Sequence, residues 1–187
     1  QSHAHADHLI DFDSSKGYQD VVMSKPTYDL LIVQRNADLP YRNNFKSMET
    51  NKEFSYGNSK IKMISSGHIL GAVQTQVELP SGEQVGYSGD FQWPLETVIR
   101  VDTLVLDSTY GNPVFQNKYS QDLVEQEFLD LIIKNSISRP VIISGLRGIV
   151  QRAINIFSEN INLPILASAK LIKECEVYKN YCYAIPT

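Results

Sequence analysis

Histidine is scarce in this chain and unevenly placed. Of four, three fall within His3-Ala4-His5-Ala6-Asp7-His8, and the fourth is in Ser66-Gly67-His68-Ile69-Leu70-Gly71. Imidazole is the commonest neutral ligand of zinc, and carboxylate oxygens complete sites of intermediate softness. In an extended segment, residues two apart point to the same side, so His3 and His5 can face one ion together. Asp7 and His8 follow where the chain turns and can face a second ion, while the small Ala4 and Ala6 let the loop pack closely. Taken alone, His68 reads as a hydrogen-bonded core or surface residue. Gly86-Tyr87-Ser88-Gly89-Asp90 ends a strand with a carboxylate on a glycine turn; its two oxygens can bridge two ions, although an ordinary turn aspartate suits the same residues. The fold expected of such a chain must therefore bring three separated loops to one point.

The remaining pattern shows how that can happen. A loop leads from Gln1 into a short helix over about 9–15, ended by Gly17, and a short buried strand follows at 20–24. Pro26 starts a helix through about Arg35. Residues 36–58 are polar and read as irregular or partly helical. From Lys60 the period becomes that of strands, and Pro80-Ser81-Gly82 joins the strands at 72–79 and 83–87 as a hairpin turn. Leu104-Val105-Leu106 reads as a short buried strand. Ser120 caps a helix to about Lys134, with Leu123, Phe128, Leu131 and Ile132 at helical spacing. Strand, helix, strand and helix then follow at 140–143, about 150–159, 164–167 and about 171–181. The shift from hairpins to alternating elements near Asn112 divides the chain into 1–112 and 113–187 and predicts mixed α/β layers.

Taken together, His-x-His-x-Asp-His, then Gly67-His68, then Ser88-Gly89-Asp90 resemble the metallo-β-lactamase superfamily. Ser66–Ala72, Tyr87–Phe91 and Leu106-Asp107-Ser108-Thr109-Tyr110-Gly111 resemble, more narrowly, its β-CASP nucleases of RNA processing and DNA repair. That resemblance implies an α/β fold, the αββα sandwich with its leading strands missing, over 1–112, and the start of a β-CASP domain over 113–187. It also implies two Zn2+ ions, with Mn2+ as the alternative. His3, His5 and His68 would bind the first, Asp7 and His8 the second, and Asp90 would bridge them. Asp7 would also orient the attacking water. Asp107 matches the acidic residue of the next motif, as a supporting or phosphate-contacting group; a turn-capping role at a strand end is the alternative. The family's later histidine positions have no counterpart after His68, and Gly145-Leu146-Arg147-Gly148 matches its turn only loosely, so the chain reads as a fragment of a longer polypeptide.

Composition limits the rest. The chain of 187 residues has a net charge of −4, which counts against nucleic-acid binding by phosphate neutralisation alone and leaves attraction to metals and a few local cations. No apolar run approaches the roughly 18 residues of a membrane span, and the polar opening Gln1–His5 gives the expectation of no secretory leader. Cys175 and Cys182 form no recognised metal pair, so a reducing, cytoplasmic compartment is the expectation, or a nuclear one in a eukaryote. The function expected is a metal-dependent phosphodiesterase cleaving RNA. A DNA nuclease of the repair branch is the alternative, which Asp107 with Asn112-Pro113 favours. A small-molecule metallo-hydrolase and a non-catalytic subunit are the other readings, and a homodimer or a processing complex stays open. Trp93-Pro94 reads as packing on the site loop, Lys170, Lys173 and Lys179 as a solvated helix face, and Tyr178, Tyr181 and Tyr183 as ordinary packing.

Overall fold

In the computed structural model, residues 1–10, 12, 19–35, 41–115 and 120–185 are described. The expected end of the first short helix, with Gly17, lies outside them; Ala6–Leu9 forms one 3-10 turn. Val21–Ser24 forms strand β1, and Lys25–Arg35 forms helix α1 with Pro26 in its first turn. Proline is suited there because its missing N–H has no partner to lose. Met23, Leu30 and Leu31 are fully buried and make the centre of this region. Strand β2, Phe45–Met48, lies parallel to β1 with Val21 opposite Phe45 and Ser24 opposite Met48.

Residues 36–58 were expected to be irregular, and the structure corrects this. Besides β2 they contain β3, Glu53–Tyr56. Both are polar on the exposed side, so their composition hides the strand period; 36–40 lie outside the described residues. Strands β4 (Ser59–Ser65), β5 (Val73–Glu78), β6 (Gln84–Tyr87) and β7 (Thr103–Val105) complete a five-stranded sheet in the order β3-β4-β5-β6-β7. The first three junctions are antiparallel, and β6 pairs with β7 in parallel. The expected turn at 80–82 joins β5 to β6, with Gly82 at φ +88. Its N–H donates to the Leu79 carbonyl at 2.9 Å.

The strand expected at 104–106 is present as β7, but it is not buried: Leu104, Val105 and Leu106 are about half exposed. It borders the sheet and has a strand neighbour only on the β6 side among the described residues. An apolar run cannot distinguish a central from an edge position, because burial depends on what lies beside the strand.

Residues Gln1–Asp107 form one compact unit and Ser108–Thr187 a second. Three helices organise the second unit: α2 (Gln121–Ser136), α3 (Ile149–Asn160) and α4 (Ala169–Asn180). Ser120 caps α2 as expected, accepting from the Leu123 N–H, and Ser168 caps α4 by accepting from Leu171. Arg147 and Glu174 pair at 2.7 Å, both nearly buried, and the Gln151 amide oxygen accepts from Gly148 N–H at 2.7 Å. Tyr178 is buried, and Lys170 and Lys173 face solvent. The segments at 140–143 and 164–167, expected as strands, lie outside any ladder. Their β-branched and leucine content suits a strand, but a strand exists only with a partner for its N–H and C=O groups. Among the described residues, no helix is long and apolar enough to cross a membrane.

Candidate metal centre

Three loops of the first unit meet at one point, and each is fixed by backbone hydrogen bonds. The N-terminal segment is tied to the start of β5, where Val73 N–H donates to the Ser2 carbonyl at 3.0 Å, next to His3. The loop after β4 closes on itself, with Ser66 N–H on Ala72 carbonyl at 3.0 Å and Ala72 N–H on Ile69 carbonyl at 2.9 Å. Gly71 is held there by Ser24 and Thr27, whose hydroxyls donate to its carbonyl at 2.6 and 2.9 Å. A Cβ at Gly71 would lie 2.5 Å from the Thr27 nitrogen, so glycine is needed for this approach. The loop after β6 is anchored to the previous one, because Ser66 Oγ donates to the Asp90 carbonyl at 2.7 Å and Gln92 N–H donates to the Ser66 carbonyl at 3.0 Å.

These loops gather His3, His5, His68 and Asp90 so that one donor atom of each lies within 4.8 Å of the others. His3 is fully buried. Its Nδ1 lies 3.1 Å from Ser2 Oγ, while its Nε2 has no hydrogen-bond partner. His5 Nδ1 and His68 Nε2 stand 3.2 Å apart. Asp90 divides its carboxylate: Oδ2 is 3.8 Å from His3 Nε2 and 3.6 Å from His68 Nε2, and Oδ1 is 3.3 Å from His8 Nε2. Asp7 adds an oxygen 3.6 Å from the same His8 nitrogen, and its side chain is largely exposed.

Electrostatics agree with this arrangement. Burial first, and then the neighbouring imidazoles, hold the His3 pKa down to about 3. Burial likewise lowers that of His68, with Asp90 and Asp107 acting in the opposite direction. Imidazoles held neutral keep a nitrogen lone pair for a Lewis acid. A buried imidazole nitrogen without a partner is costly unless something electrophilic completes it. The donor set, three histidines and a carboxylate around one point, is one that zinc and similar divalent ions accept. The cluster can therefore hold a metal ion.

Asp107 is half-buried beside this group rather than in it; its backbone N–H donates to Ser88 Oγ at 2.8 Å, and its charge reaches His68. Three serines that the sequence did not single out complete the frame. Ser2 orients the His3 ring, Ser66 holds the Asp90 backbone, and Ser88 Oγ donates to Gly89 carbonyl while accepting from Asp107. For Ser66 and Ser88 the signal is their place inside the motifs; Ser2 carries none. Trp93 departs from expectation, since it is 71% exposed rather than packed.

No family model matches the sequence. An uncharacterised protein of Acidianus ambivalens, from the lig 3′ region, is 34% identical over 125 residues, covering 65% of this chain and 89% of that protein. An RNase J-like protein of Methanocaldococcus jannaschii is 27% identical over 209 aligned positions, or 96% of this chain. The DNA cross-link repair protein SNM1 of Arabidopsis thaliana is 26% identical over 130 residues, or 66% of this chain. The chain belongs to the β-CASP family of the metallo-β-lactamase superfamily. Within this family it spans about half the length of the RNase J-like protein (49%) and about a quarter of SNM1 (26%). Its mixed α/β fold places His68 and Asp90 on loops that follow β4 and β6, where the sheet holds the backbone still.

Proposed function

We propose that this chain carries the metal centre of a phosphodiesterase that cleaves RNA with a water activated at two divalent ions, zinc or alternatively manganese. The observation that carries the reading is the divided carboxylate of Asp90, with one oxygen toward His3 and His68 and the other toward His8. His3, His5 and His68 with Asp90 Oδ2 would hold one ion; Asp7 and His8 with Asp90 Oδ1 would hold the second. Two ions so held would polarise the phosphate and make water acidic enough to lose its proton near neutral pH. The chain's own residues supply the rest. Ser2 keeps His3 Nε2 pointed inward. Asp7, the carboxylate most open to solvent in the group, would orient the nucleophile and accept its proton. Asp107 adds negative charge near His68 and steadies the loop through Ser88.

RNA as substrate is supported by the RNase J-like relative, which aligns with nearly the whole chain. A DNA substrate is the second reading, favoured by the likeness to the SNM1 repair protein and by Asp107 with Asn112-Pro113. The deciding experiment offers matched single-stranded RNA and DNA to the purified protein with zinc, with manganese and after exhaustive chelation. Cleavage of RNA, lost on chelation and restored by metal, is expected. Cleavage that survives chelation, or none of either polymer with metal present, sinks the phosphodiesterase reading; cleavage of DNA alone turns it to the second.

A further inference from the structure

Trp93 is the chain's single tryptophan, three positions after Asp90. Its side chain stands in solvent on a loop that is otherwise tied down. On one side, Gln92 N–H is fixed to the Ser66 carbonyl, two residues before His68. On the other, the buried Gln74 donates to the Thr97 carbonyl at 2.7 Å and accepts from Ile99 N–H at 3.5 Å, and Ile99 is itself buried. Trp93 is thus held between two anchors while its ring projects. Three peptide units span at most about 11 Å, so the Trp93 Cα lies within that distance of the Asp90 Cα, which is within the reach of a nucleotide next to the scissile phosphate.

We propose that Trp93 is a stacking platform for a base of the single strand being cleaved. This inference rests on the phosphodiesterase reading above. An indole face accepts any base, because every base has a π-face, and it makes the largest such platform among side chains. With a net charge of −4 the chain has little phosphate-neutralising capacity to hold a polyanion. Stacking supplies affinity that does not depend on cations, at a place where it also fixes the register of the strand over the carboxylates.

Because Trp93 is the sole tryptophan, its fluorescence reports on that contact alone. The metal-loaded protein is titrated with a short oligoadenylate carrying hydrolysis-resistant phosphorothioate linkages, and with an abasic strand of the same length. Quenching by the first and not by the second is expected. In cleavage kinetics, Trp93→Ala should raise KM by about 5- to 150-fold, with a smaller effect on kcat, and Trp93→Phe should recover most of the loss. Equal quenching by the abasic strand, or an unchanged KM in Trp93→Ala while the unmodified protein cleaves RNA, overturns the stacking role and leaves the phosphodiesterase reading standing. If the unmodified protein neither cleaves RNA nor is quenched by it, both fall.

Discussion

At the scale of single residues, the candidate metal-binding group depends on side chains outside the donor set. Ser2 Oγ on His3 Nδ1 fixes which ring nitrogen faces Asp90. Groups that orient a ligand in this way are typically worth about 10- to 100-fold in metal affinity. Ser2→Ala is therefore expected to weaken zinc binding by that amount, read by competition against a chromogenic chelator; an unchanged affinity would show that packing alone orients the ring. Gly89 poses a steric question instead. It sits at φ +55, and a Cβ there would lie 2.8 Å from the Val73 carbonyl oxygen. Gly89→Ala should cost about 1–3 kcal/mol of stability, measured by urea denaturation, and should shift Asp90 with it.

At the scale of elements, caps and one buried ion pair hold the second unit's helices. Ser120→Ala leaves the Leu123 N–H without its acceptor, and a loss of about 1 kcal/mol is expected from thermal unfolding. Arg147 and Glu174 tie the segment before α3 to α4, with both side chains almost out of water. Removing one partner leaves a buried charge uncompensated, so Arg147→Met should destabilise by about 3–5 kcal/mol. Adding Glu174→Leu should recover much of the loss; a double variant no better than the single one would show that geometry, not charge, makes the pair matter. The helices were legible in the sequence because caps and the helical period are local signals. The strands expected at 140–143 and 164–167 were not realised, because a ladder needs a neighbour that local composition does not encode.

For the whole molecule, the candidate metal ligands come from positions as far apart in sequence as 3 and 90, all within the first unit. A ligand that binds only the folded arrangement stabilises it by mass action, about 2.7 kcal/mol at a free concentration of 100 times Kd. Zinc or manganese should therefore raise the melting temperature of Gln1–Asp107 in calorimetry, and a chelator should reverse the shift. A melting curve indifferent to metal would mean that the group forms no site.

The identities and spacing of His3, His5, Asp7, His8, His68 and Asp90 were enough to point to metal chemistry, since few other uses bring these types together, and the hairpin at 80–82 followed from its turn residues alone. Only the tertiary structure decided that the two oxygens of Asp90 face different histidines, that three serines frame the group, that β7 is half exposed and that Trp93 stands in water. The reason is physical. Ligand type and local period are properties of neighbouring residues, whereas burial and the direction of a carboxylate are set by what the fold brings alongside from elsewhere in the chain.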